Sequence, residues 1–186
     1  MIYELITSNR SYRRFNSKRE VGYSELLKMI ESARMTASAA NLQRLRYALV
    51  NTREECDRIF ETLSFAGYLT DWQGPAEDER PVAYITLMAQ NEPDVNLAID
   101  AGLAAQSILL TARQMGLGGC MFRSFNPQRL APVLNKTGYI PVLVIAIGEP
   151  SEKVYTVDSE DNNVRYYRDS EDNHVVPKLP LDELII

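Results

Sequence analysis

The sequence predicts a single α+β domain, and three observations carry that prediction. Ile140 to Gly148 holds six consecutive apolar residues, Val142 to Ile147, the pattern of a strand covered on both faces. Leu97 to Ala112 places apolar residues on more than one helical stripe, so that segment is a helix buried on several sides. No internal repeat and no linker divides the 186 residues, which places 1–186 in one domain of ordinary size. With 45% hydrophobic and 24% charged residues, the composition is that of a folding chain and excludes disordered and collagen-like classes.

The elements follow in order. Tyr3 to Ile6 is a short first helix, and the polar stretch after it concentrates Arg10, Arg13, Arg14, Lys18 and Arg19. Ser24 caps a helix from about Glu25, in which Leu26, Leu27, Ile30 and Ala33 recur at helical spacing. A small polar run, Thr36 to Asn41, ends it, and Arg46 to Val50 reads as a strand. Thr52 followed by Glu55 is a capping box for a helix that buries Cys56, Ile59, Phe60 and Leu63. From Gly67 to Pro81 the period is lost and acids gather, so this is a surface loop, and Pro81 to Met88 is a strand.

Asp94 caps the longest helix, which runs to about Met115. Its small residues Ala101, Gly102, Ala104 and Ala105 allow close approach of another helix, from this chain or from a second copy. Gly116-Leu117-Gly118-Gly119 ends it, Cys120-Met121-Phe122 forms a short strand, and Asn126-Pro127 opens a further helix. Ile140 to Gly148 is the central strand. The acidic tail from Glu149 has no helical period until Leu181 to Ile186, and its apolar end predicts that it wraps over its own domain or a neighbour.

The charge and motif inventory excludes several functions. A net charge of -5 supplies no field for nucleic-acid phosphates. Two cysteines and one histidine cannot make a four-ligand zinc site or a disulfide framework, so no metal is expected. The N-terminus lacks the apolar core of a signal peptide, and the most apolar run is shorter than the ~20 residues a membrane span needs. Together these predict a cytoplasmic protein. The only glycine cluster follows a helix and precedes a strand, the reverse of a phosphate-binding fingerprint. The single His174 sits in the tail, far from any nucleophile elbow, and Cys120 reads as a core thiol. What remains is Arg10-Ser11-Tyr12-Arg13-Arg14, whose guanidiniums either grip a phosphate or form a solvated loop.

These residues also carry a resemblance. Arg10-Ser11-Tyr12-Arg13-Arg14-Phe15 resembles the opening motif of the nitroreductase family of FMN-dependent oxidoreductases. Ala37 to Tyr47 resembles that family's Pro-Ser-Ala-Gly-Asn-Leu-Gln-Pro-Trp-Arg-Phe segment and agrees at six positions, Ser38, Ala39, Asn41, Leu42, Gln43 and Arg46. Asp100 to Gln106 is similar to its long central helix, Gly116 to Met121 to the turn and strand that follow, and Val176 to Leu181 to its closing basic motif. The chain departs from the pattern at Asn9, Ala37, Arg44-Leu45 and Arg123, where Arg, Pro, Pro-Trp and Gly are common.

The resemblance implies a mixed central sheet flanked by helices, in an obligate homodimer whose extended C-terminal tails embrace the partner subunit. FMN would sit between subunits. Arg10, Ser11 and Arg13 would contact its phosphate and the polar edge of the flavin, with Lys178 adding charge. Ala37, Ser38, Ala39, Asn41 and Gln43 would line the site from the other subunit, and the backbone at Cys120-Met121 would approach the ring. NADH or NADPH would reduce the flavin, and a small acceptor such as a nitroaromatic or quinone would take the electrons. No side chain is then needed as acid, base or nucleophile, because the cofactor carries the chemistry. The acidic loop from Gly67 to Arg80 is a candidate to shape the acceptor pocket. The alternative is a dimeric protein that keeps the fold and binds another anion, or stores flavin, without turnover.

Overall fold

A computed structural model describes all 186 residues. Its centre is a four-stranded antiparallel sheet in the order β1-β2-β4-β3, built from β1 (Arg46–Val50), β2 (Ala83–Ala89), β3 (Gly118–Phe122) and β4 (Ile140–Gly148). Strand β4 is internal, as its apolar run requires, and β2 beside it is buried at all seven positions.

Alternation of side chains splits the core between the two faces of this sheet. Ala83, Ile85, Leu87 and Ala89 of β2 point to one face, where α2 (Tyr23–Arg34) and α4 (Val95–Gln114) contribute Leu26, Met29, Ala104, Ala105 and Ile108. Tyr84 and Met88 point to the other, against Cys56 and Ile59 of α3 (Arg53–Phe60) and Leu130 and Leu134 of α5 (Pro127–Leu134). A short α1 (Ile2–Ser8) precedes this frame.

Local chemistry sets most boundaries. Thr52, Asp94 and Asn126 each accept a backbone N–H in the first turn of α3, α4 and α5, and each was legible as a cap. Helix α2 starts two residues earlier than its sequence suggests: Gly22 is the cap, and its N–H donates to the Glu25 carboxylate at 2.9 Å. Gly116, at φ 77°, closes α4 in the left-handed conformation that glycine adopts without a steric penalty.

Helix α4 is 20 residues long, enough by length and composition to cross a bilayer. Here it is the core helix. Eight of its residues are buried against α2 and the sheet, Asp100 among them.

The tail folds on its own chain. Strands β5 (Val154–Asp158), β6 (Tyr167–Arg168) and β7 (His174–Lys178) form a small sheet in the order β5-β7-β6, with β5 parallel to β7, so parallel pairing occurs here and not in the central sheet. Residues 149–151 first run along the N-terminal segment, where Asn16 N–H donates to Glu149 O and Ser151 N–H to Arg14 O. The last residues, Leu181 to Ile186, are exposed.

Candidate functional site

The basic segment lies along the free edge of β3. Ser11 forms a parallel bridge with Gly119, and Tyr12 N–H donates to Gly119 O at 3.0 Å. This places the segment Arg10 to Arg13 alongside β3, next to Cys120. Gly118 permits that packing, because a Cβ there would fall 2.5 Å from Tyr12 Cδ2, and Gly119 permits the pairing of β3 with β4, because its Cβ would fall 2.3 Å from the carbonyl oxygen of Ala146.

The tail orients the cations. Arg13 donates from Nη1 to Ser11 O at 3.3 Å and to His174 Nε2 at 3.0 Å, and its guanidinium lies 4.9 Å from the centre of the Tyr166 ring. Arg10 is anchored by the carbonyls of Ile6 and Asn9. Glu152, nearly inaccessible, accepts the backbone N–H groups of Arg13 and Arg14 and pairs with Arg168 at 2.7 Å. Arg14 is held by Asp172 and Glu79. The neighbouring acids are thus committed to Arg14, Arg168 and backbone, whereas the Nε and Nη2 edge of Arg13 has no protein partner.

Burial explains the titration of this region. His174 is pushed down to about 4 by desolvation and then by the Arg13 charge, so it is neutral and accepts from Arg13. Its proton must then sit on Nδ1, a buried atom with no partner. Cys120 is pushed up by burial, against the pull of Arg13, and Cys56 rises to about 12 for the same reason, so both thiols stay protonated core residues.

The second group of predicted residues is elsewhere. Ala37, Ser38, Ala39, Asn41 and Gln43 occupy the turn between α2 and β1, at the opposite edge of the sheet. Three strand spacings of ~4.8 Å put the two edges roughly 14 Å apart, so one chain does not bring the two groups together. Ala40, Asn41 and Gln43 all have φ near 50°, an accumulation of left-handed residues that must be held from outside. Asp100 of α4 does this by accepting Ala39 N–H at 2.9 Å, while Ser38 Oγ accepts Gln43 N–H at 3.3 Å. A cavity of about 340 Å³ lies behind the turn, lined by Ala37, Ser38, Gln43 and Asp100.

Lys178 stands apart from both groups. It lies four residues beyond His174 on β7, so about 13 Å separates it from the Arg13 contact along the strand. The loop around Trp72 packs against Arg14 and Arg168, and through Phe65 it reaches Phe122 of β3. His174, Glu152 and Asp100 were not recognised as site residues from sequence. An acid inside the most apolar helix and a lone histidine in an acidic tail were the available signals.

Comparison with known proteins bears on the fold and the family. The model of the nitroreductase family matches residues 6–149. A CLA biosynthesis enone reductase from Lactiplantibacillus plantarum is 24% identical, with 81% of this chain and 86% of the relative covered. A Bacillus subtilis protein provisionally named NAD(P)H nitroreductase YdgI is 22% identical, over 82% and 90%. Among solved structures, a nitroreductase family protein from Streptococcus pneumoniae superposes with a TM-score of 0.70 at 19% identity, over 100% and 99% of the two chains. An FMN-dependent nitroreductase from Clostridium difficile superposes at 0.68 and 21%, over 91% and 99%. At these identities the superpositions establish the fold, and the match across residues 6–149 establishes the lineage: the chain belongs to the nitroreductase family.

Proposed function

We propose that this chain is an FMN-dependent oxidoreductase that passes electrons from NADH or NADPH to a small organic acceptor such as a nitroaromatic or quinone. One observation supports it above the others. The cations beside β3 outnumber the acids free to neutralise them, and Arg13 presents an uncommitted pair of N–H donors. That donor set fits a phosphate, which a guanidinium binds through two parallel hydrogen bonds. Arg10, Ser11 and Arg13 would hold the phosphate and ribityl end, the backbone at Cys120-Met121 would face the ring, and Lys178 would add long-range charge. Bound FMN supplies the redox chemistry, accepting hydride from the nicotinamide and releasing electrons to the acceptor.

The separated turn at Ala37–Gln43 favours a homodimer in which each subunit lends that turn to its partner's site. The exposed apolar residues support this reading, since Ile2, Tyr3 and Ile6 of α1, Val95, Ile99 and Leu103 of α4, and Leu181, Leu184 and Ile185 of the tail all lack partners in one chain. The tail end is then the segment that reaches across. Two free cysteines suit a reducing cytoplasm, where NADH and NADPH are available.

The test is the visible spectrum of the purified protein, taken again on the heat-released supernatant and after anaerobic addition of NADH or NADPH. Flavin bands that release as FMN and bleach with the nicotinamide are expected, together with a dimer by sedimentation. A colourless protein that takes up no added FMN would overturn the reading in favour of a flavin-free binding protein.

A further inference from the structure

Hydrogen bonds hold the Arg13 guanidinium at one end only. Its Nη1 donates to Ser11 O and His174 Nε2, and those bonds leave the guanidinium plane free to turn about that nitrogen. The Tyr166 ring restrains the plane, with its centre 4.9 Å from the guanidinium carbon, and so sets where the free Nε and Nη2 edge points.

Tyr166 is itself placed by other side chains. It precedes β6 by one residue, after a turn in which Asp161 and Asn162 have φ of 49° and 57°. Its ring centre lies 5.1 Å from that of His174 and 4.9 Å from that of Tyr68, and its hydroxyl accepts the Tyr68 N–H at 3.3 Å. Arg165 lies over the Tyr68 ring at 4.9 Å, so contacts run from Arg13 through Tyr166 and Tyr68 to Arg165. Tyr68 belongs to a loop, residues 66–74, that contains no helix or strand. The bond from Tyr68 to Tyr166 is the only hydrogen bond joining this loop to another part of the chain. Trp72 adds stacking on Arg14 and Arg168. The loop is thus held largely by the cations and tail residues that surround Arg13.

We propose that Tyr166 is a positioning residue for anion binding at Arg13 and that Tyr68 acts through it, so that ordering of the 66–74 loop and affinity for a phosphate group rise together. A guanidinium already fixed in its plane loses less side-chain freedom when it forms two parallel bonds to a phosphate. The coupling is reciprocal, so bound phosphate also orders the loop. Naming FMN as the carrier of that phosphate rests on the reading above.

The experiment is a double-mutant cycle on FMN affinity, measured by equilibrium dialysis, with hydrogen exchange at residues 66–74 reporting on the loop. Tyr166→Leu should weaken FMN by about fivefold, whereas Tyr166→Phe, which keeps the ring over Arg13, should stay within about twofold of the unaltered protein. Tyr68→Ala should weaken FMN by about threefold alone and add nothing in the presence of Tyr166→Leu. Exchange in the loop should slow when FMN is added. Unchanged affinity in Tyr166→Leu, independent losses in the double variant, or loop exchange that the ligand does not move would overturn the proposal. The same cycle run with inorganic phosphate, read by isothermal titration, separates the two readings. A protein that binds phosphate with this dependence on Tyr166 but takes up no FMN refutes the cofactor assignment alone, and one that binds neither overturns both.

Discussion

Arg13 and His174 meet at 3.0 Å across 161 residues of sequence, and the imidazole orients a guanidinium by accepting from one of its nitrogens. The contact leaves the other edge of Arg13 unpaired beside β3. It also ties the tail to the N-terminal segment that the family motif singles out.

That edge should govern flavin retention. Arg13→Ala is expected to weaken FMN binding by about 10- to 100-fold, the range for loss of hydrogen bonds to a charged group. Equilibrium dialysis against FMN checks it, and unchanged affinity would remove Arg13 from the site.

His174 makes stability depend on pH. In the folded chain it stays neutral down to about 4, whereas in the unfolded chain it protonates near its ordinary value of ~6.5. Between those limits the unfolded state binds the extra proton, so stability falls as pH drops from about 6.5 to 4, by roughly 3 kcal/mol in all. His174→Gln, whose amide oxygen can still accept from Arg13, should flatten that part of the profile measured by urea unfolding. An identical slope in the variant would show that other groups control it.

Glu152 is the acid on which this corner depends. Glu152→Ala leaves two backbone N–H groups without their acceptor and Arg168 with Asp172 alone, and should cost about 3 kcal/mol, as loss of one member of a buried ion pair does. A drop in Tm of roughly 10 °C is expected at this chain length.

Asp100 acts on the turn at a distance from Arg10 and Arg13. Asp100→Ala releases Ala39 N–H and frees a segment that holds three residues at positive φ. Under the proposed dimer, FMN affinity should fall although Arg10 and Arg13 are untouched. Hydrogen exchange at residues 37–43 should rise in parallel, and protected amides there would argue against the role.

Gly119→Ala should be the most disruptive small substitution in the sheet. Its new methyl would meet Ala146 O at 2.3 Å, a backbone atom that cannot step aside. A cost of about 3 kcal/mol or more is expected from such overpacking, read as a loss of soluble protein or a lowered Tm.

The sequence by itself determined the elements whose signals are local. The apolar run of Ile140–Gly148, the caps Thr52, Asp94 and Asn126 and the stop at Gly116 each act within a few residues, so strands β1 to β4 and helices α3 to α5 were legible from periodicity and capping. The motif residues were legible too, by resemblance. Tertiary structure decided the rest. The tail strands are short, and Val154 pairs with His174 through contacts that no local pattern encodes. Only the folded chain shows that His174 and Glu152 hold Arg13, that Asp100 holds the strained turn, and that the two groups of motif residues lie on opposite edges of one sheet. Burial and distance set those relationships, and both are properties of packing.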